Sequence, residues 1–303
     1  MSKPFLRFEN GKVMIGGKNL LVTSANFSMS PTLQKERVYG DLDLNVVGAK
    51  TEFVKFAPSD SIKGQLDISF LINADTFSDE NSNSISRMFD IAAGMSEAPI
   101  NTNLVGRYAF DHMYLRSFGF SLAPFQVIKA NAKYDIYGSI TKAVDRRMIY
   151  VEKNFAHALK SFGELKASDV EQDSISGQFE IADLNYSISV ERKVHNHIRD
   201  NEHTSINTNA HGAMPFRVSV ESIESEMSVQ ANEMIPSLNA YGDYQYGSTP
   251  FGLEDSTISA FLYSLEGDQI AKFSCEGKVQ SQSMSISEGN HAKSNITVRG
   301  VVK

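Results

Sequence analysis

The sequence predicts a mainly β protein, a β-sandwich or barrel with one or two short helices, arranged as two β-rich domains. Three observations predict it. Large apolar and small polar residues alternate with period two in run after run, as in strands that bury one face and wet the other. One unit occurs twice: Phe27-Ser28-Met29-Ser30-Pro31 and Phe120-Ser121-Leu122-Ala123-Pro124 both stop at proline. Each is followed by an extended run ending in an aromatic–glycine step, Tyr39-Gly40 and Tyr137-Gly138. Finally, 303 residues suit two ordinary hydrophobic cores better than one large one.

The elements follow in order. Phe5, Leu6 and Phe8 mark an amino-terminal arm or edge strand. Gly16-Gly17-Lys18-Asn19 reads as a hairpin turn, because successive positive φ values suit Gly and Asn. Leu20 to Pro31 and Gln34 to Tyr39 are strands. Between Gly40 and Gly48 lies a loop of unusually apolar content. Strands resume at Phe53 to Phe56 and at Ile62 to Asn73, the latter with Leu66, Ile68 and Phe70 on one face. A helix is expected over 84–93, where Ser84 is the N-cap, Ile85, Met88, Phe89 and Ala92 recur at helical spacing, and Gly94 closes it. Strands then run from Tyr108 to Pro124 and from Val127 to Ile140.

A charged junction, Thr141 to Arg147, sets the domain boundary, giving 1–145 and 146–303. Phe155, Leu159, Phe162 and Leu165 have helical spacing and predict a second helix over 154–166. Beyond Ser174 the chain is strand-rich again: 178–194, 216–229, 257–264, 270–286 and 294–302.

The composition bounds the function. Hydrophobic content of 41% and charged content of 21% describe an ordinary folded protein. No apolar run reaches the roughly 20 residues of a membrane helix, and no secretory leader is evident at the amino terminus. Membrane insertion is therefore not expected. Cys275 is the only cysteine, so neither an intramolecular disulfide nor a cysteine zinc site is available, in keeping with a reducing cytoplasm. A net charge of −7 argues against tight binding to a nucleic-acid backbone, yet suits a conduit that passes phosphates without holding them. The absence of Trp weakens sugar-binding readings.

Motifs for catalysis are missing: there is no nucleophile elbow, Walker loop, dinucleotide fingerprint or zincin motif. No catalytic residue and no cofactor are expected. Asp41-Leu42-Asp43-Leu44-Asn45 imitates the start of a calcium loop, but Val46 and Phe53 stand where its glycine and closing glutamate belong. His195-Asn196-His197 places two imidazoles on one face of a strand, with His203 nearby. Two readings stand there, a metal site and a solvated polar segment, and the solvated segment is preferred. The apolar loop is the stronger lead. Leu42, Leu44, Val46 and Val47 either fold back on their own core or dock on a neighbouring subunit.

The order Ile15-Gly16-Gly17, strand 20–31, glycine-flanked loop 40–48, strand 62–73, helix 84–93 and strands 108–140 resembles phage tail tube proteins. The resemblance is one of pattern and spans about residues 12–141. It implies a virion structural protein of the tail, assembled in the host cytoplasm from stacked hexameric rings that form a DNA conduit. It implies Gly40, Asp41, Leu42, Asp43, Leu44, Asn45, Val46, Val47 and Gly48 as the ring-stacking loop. The implied partners are copies of itself, other tail proteins (sheath, baseplate, terminator) and DNA in transit. Residues 146–303 exceed a single tube domain and read as a duplicated tube-like domain or an outer decoration. The alternatives are a baseplate hub or neck component, and, in a different class, a metal-dependent or carbohydrate-active enzyme built on the histidine segment.

Overall fold

The structure is a computed structural model; it describes residues 13–30, 33–39, 52–58, 63–72, 99–106, 108–110, 112–123, 126–137, 140–142, 162–167, 181–196, 216–232, 255–263, 269–289 and 293–301. These residues form strands and no helix, so the chain is mainly β. The expected helix over 84–93 lies outside them. So does most of the expected helix over 154–166, but its last turn is corrected: Phe162–Ala167 is a strand. Pairing of that segment with a neighbour, from Phe162 opposite Phe261 to Ala167 opposite Ser256, outweighs a helical spacing of four apolar residues.

Five short strands form a small sheet: β1 (Val13–Ile15), β2 (Lys18–Asn19), β7 (Asn103–Val105), β8 (Tyr108–Phe110) and β11 (Ile140–Lys142). The β1–β2 hairpin closes on Gly16 and Gly17, whose φ values of 59° and 87° are the two positive angles of a tight two-residue turn; Lys18 and Asn19, expected in the turn, are paired as strand β2 instead. Buried Asn103 holds this sheet together. Its Oδ1 accepts the Gly16 N–H at 3.0 Å, and its Nδ2 donates to the carbonyls of Ile100 at 2.7 Å and Phe110 at 3.3 Å.

The large sheet contains β3 (Val22–Ser30), β6 (Lys63–Leu71), β9 (Met113–Leu122), β10 (Lys129–Ile136), β12 (Phe162–Ala167), β13 (Ile181–Asn196), β14 (Phe216–Ala231), β15 (Asp255–Tyr263), β16 (Gln269–Ser285) and β17 (Lys293–Val301). Their order is β12-β15-β16-β17-β14-β13-β9-β10-β6-β3. The sequence's single strand from 108 to 124 is two, β8 and β9, broken where His112 takes a positive φ of 51°. The expected boundary near residue 145 falls outside the described residues. β9 and β13 pair across it, from Leu184 opposite Leu122 to Ser189 opposite Ser117, and one hydrophobic cluster spans both segments.

Register divides the ten strands into two layers that share β16. Its first half, 269–278, pairs with β15, and its second half, 278–285, pairs with β17 across a bulge at Val279–Ser281. One layer is therefore β12, β15 and the first half of β16. The other has eight strands, from the second half of β16 to β3. The strand switches layers beside Gly277 and Gly300. A β-carbon on Gly277 would overlap the Arg299 carbonyl oxygen, and one on Gly300 the Glu276 carbonyl oxygen, so only glycine permits this approach.

The apolar faces meet across the layers. In a flat sheet β16 lies four strands from β9, about 19 Å at the usual spacing. Phe273 nonetheless sits 4.7 Å from Phe120 and 5.2 Å from Tyr186, ring centroid to centroid. The three-stranded layer is thus folded over the eight-stranded one, with Ile258, Ala260, Leu262 and Cys275 buried beside the aromatic cluster.

Candidate assembly interface

Among the described residues, two features of the fold leave backbone hydrogen-bonding capacity open. The first is a ribbon: β4 (Leu33–Tyr39) and β5 (Glu52–Pro58) pair from Leu33 opposite Pro58 to Tyr39 opposite Glu52. They join no other strand among the described residues. A lone two-stranded ribbon is marginal in water, and stability normally comes from a third strand or a surface to lie on. The segment it carries at its end, 40–51, includes the expected stacking loop Gly40–Gly48. That loop lies outside the described residues, as do Phe5, Leu6, Phe8, His197 and His203.

The second feature is a pair of sheet edges. Among the described residues β3 pairs only with β6, and its nine residues contain no charge and no proline. It keeps Phe27 against Phe110, 4.9 Å between ring centroids, while Ser24, Asn26, Ser28, Met29 and Ser30 are exposed. At the far side of the eight-stranded layer, β16 beyond Lys278 pairs only with β17 among the described residues. It too is uncharged from Val279 to Ile286, and Met284 and Ile286 are 45% and 70% exposed. Natural edges are usually blunted by lysine, proline or a strong twist, and these two carry little of that protection.

A polar cleft of about 670 Å³ opens on the outer face of β6, β10, β9 and β13. Two bulges build it. Lys133 faces Ser117 and Tyr134 faces Leu115, which leaves Arg116 as the extra residue; Glu191 faces Ser222 and Arg192 faces Val220, which leaves Glu221. Arg116, Glu221 and Arg192 all line the cleft. Their charges are locally matched: Arg116 lies 4.0 Å from Asp135, Lys193 lies 3.9 Å from Glu221, and the Ser222 hydroxyl donates to Glu191 at 3.1 Å. Arg192 is the buried member. It donates to the Leu115 carbonyl and lies 5.6 Å from the Tyr114 ring centre, while its Nε has no hydrogen-bond partner among the described residues. Burial pulls its pKa down to about 10, against the opposing pull of Asp135. This arrangement fastens the β13–β14 ribbon to β9. Nothing in the linear sequence marked the cleft, because a bulge is a property of paired registers.

Compared with known proteins, the sequence matches no protein-family model and no curated protein. Geometry alone bears on function.

His195 is exposed at the end of β13, its Nε2 3.0 Å from the Ser219 hydroxyl of β14. Among the described residues no group of three or more His, Cys, Asp and Glu is placed to hold a metal. Cys275 is buried; its thiol lies 3.4 Å from the Ser225 hydroxyl and donates to the Val298 carbonyl at 3.3 Å.

Proposed function

We propose that this chain is a self-assembling phage virion protein, the tail tube protein, whose copies form stacked rings around a path for DNA. The observation that carries the reading is the β4–β5 ribbon, which stands apart from the other described strands and leads into the apolar segment 40–48. A two-stranded ribbon next in sequence to an apolar segment gains stability by docking on another surface. A neighbouring ring offers that surface at every level of a tube. The uncharged edges of β3 and β16 add capacity for lateral contacts, and the net charge of −7 disfavours retention of DNA. A baseplate hub or neck component remains the alternative within the same class.

Negative-stain electron microscopy and sedimentation velocity of the purified chain test the proposal. Rings or tubes are the expected outcome. A stable monomer across concentrations overturns it.

A further inference from the structure

We propose that the chain is one two-layered unit repeated in tandem, within 13–136 and 162–301, and that each copy therefore supplies two equivalent segments to its assembly. The repeat is read from strand order and register; its consequence for assembly rests on the reading of the chain as self-assembling.

Strand order supports it first. In the large layer the first half contributes β3, β6, β9 and β10, and the second contributes β13, β14, the later part of β16 and β17. Across the layer each set stands in the order first, second, fourth, third, with every pairing antiparallel. That order requires a crossover between the second and third strands, so its recurrence is informative. The remaining strands follow suit. β12 pairs with β15, and β15 with the early part of β16, as β1 pairs with β7 and β7 with β8.

Register supports it second. Residues 22–30, 63–70, 114–121 and 129–136 map onto 181–189, 224–231, 278–285 and 293–300. Every cross-strand pair that the first set makes within itself, the second set makes too. Met29 faces Gly64 as Ile188 faces Ser225, and Tyr134 faces Leu66 as Val298 faces Met227. Even the bulges coincide. Thr23 and Ala182 are the extra residues of the first strands, and Arg116 and Gln280 those of the third. A bulge displaces register by one residue, so unrelated strands have no reason to place two alike.

Side chains support it third. Asn26-Phe27-Ser28-Met29-Ser30 corresponds to Asn185-Tyr186-Ser187-Ile188-Ser189. In this alignment the counterpart of 27–31 is 186–190, not 120–124. Where buried residues differ in size, they differ reciprocally: Phe70 and Ala132 on diagonal positions become Ala231 and Ile296.

The two units are already joined edge to edge within the chain, through β9 and β13. One chain then covers two adjacent positions of a wall. A ring carries the symmetry of its chains and a pseudo-symmetry of twice that order.

The test counts chains and wall segments separately in rings of the full chain. Native mass spectrometry gives the chains, and end-on electron-microscopy class averages give the segments. Two segments per chain is the expected result. One segment per chain overturns the doubled role while leaving self-assembly intact, and failure to form rings or tubes overturns both. A core exchange tests the repeat without assembly. Phe70→Ala should lower the denaturant midpoint, and adding Ala132→Ile, which recreates the pair of the second unit, should recover at least about half of that loss. No recovery, or a further fall, overturns the alignment.

Discussion

The Asn103 side-chain oxygen accepts the backbone N–H of Gly16 at 3.0 Å, tying a hairpin turn to a strand 87 residues further along. The same amide donates to two carbonyls, so one buried side chain satisfies three backbone groups. Asn103→Ala leaves all three unpaired and is expected to cost about 2–4 kcal/mol, measured by denaturant unfolding. A loss below about 0.5 kcal/mol means that water replaces the amide without penalty.

Gly300→Ala and Gly277→Ala each force a methyl group into a carbonyl oxygen where β16 changes layers. Overpacking of this kind costs about 1–3 kcal/mol or more. Alanine at Gly289, where no atom lies within 4 Å of the added carbon but φ is +80°, is limited to the smaller cost of backbone strain. The ranking of the three midpoints is the check.

The Cys275 thiol is buried, and burial raises its pKa; hydrogen bonds from Ser225 and backbone groups oppose this only in part. The thiolate is the reactive form. Native protein should therefore react with a thiol reagent at least on the order of 100-fold more slowly than denatured protein. Rapid native labelling places the cysteine on an opening segment instead.

Alkaline pH provides a fourth test. Burial holds the phenols of Tyr134, Tyr186 and Tyr114 above their ordinary pKa. Below about 10 they are neutral folded and unfolded alike, and their contribution is fully present. Above it the unfolded chain ionises first, so stability falls as pH climbs from about 10 toward the folded-state values. Denaturation midpoints at about pH 8, 10 and 11 should decline progressively, with an acceleration above about 10.

The apolar loop is tested by Val46→Asp with Val47→Asp. Circular dichroism should be unchanged while sedimentation shifts to the unassembled species, because two carboxylates are costly in an apolar contact. Loss of the fold itself assigns those valines to the core and removes the stacking role.

Where alternation was regular, strands were legible. β6, β13, β14, β16 and β17 lie within one to three residues of their expected limits, since Leu66, Ile68 and Phe70 or Leu184, Tyr186 and Ile188 leave one burial pattern available. The break between β8 and β9 was not legible, because it depends on one histidine taking a left-handed backbone that is uncommon outside glycine. Phe162–Ala167 was misread because only Phe162 and Leu165 of the four spaced apolar residues fall within it, and pairing with β15, a long-range contact, decides its form. The open edges were invisible for a deeper reason. Ser24–Ser30 reads like any half-buried strand until the sheet order shows that it has one neighbour among the described residues.

The unbroken run of β16 from Gln269 to Ser285 has a mechanical meaning. One end lies among the packed rings of Phe273, Phe118 and Phe120, and the other is, among the described residues, the margin of the larger layer. Load applied at that margin travels along covalent backbone into the aromatic interior rather than being dissipated in loops.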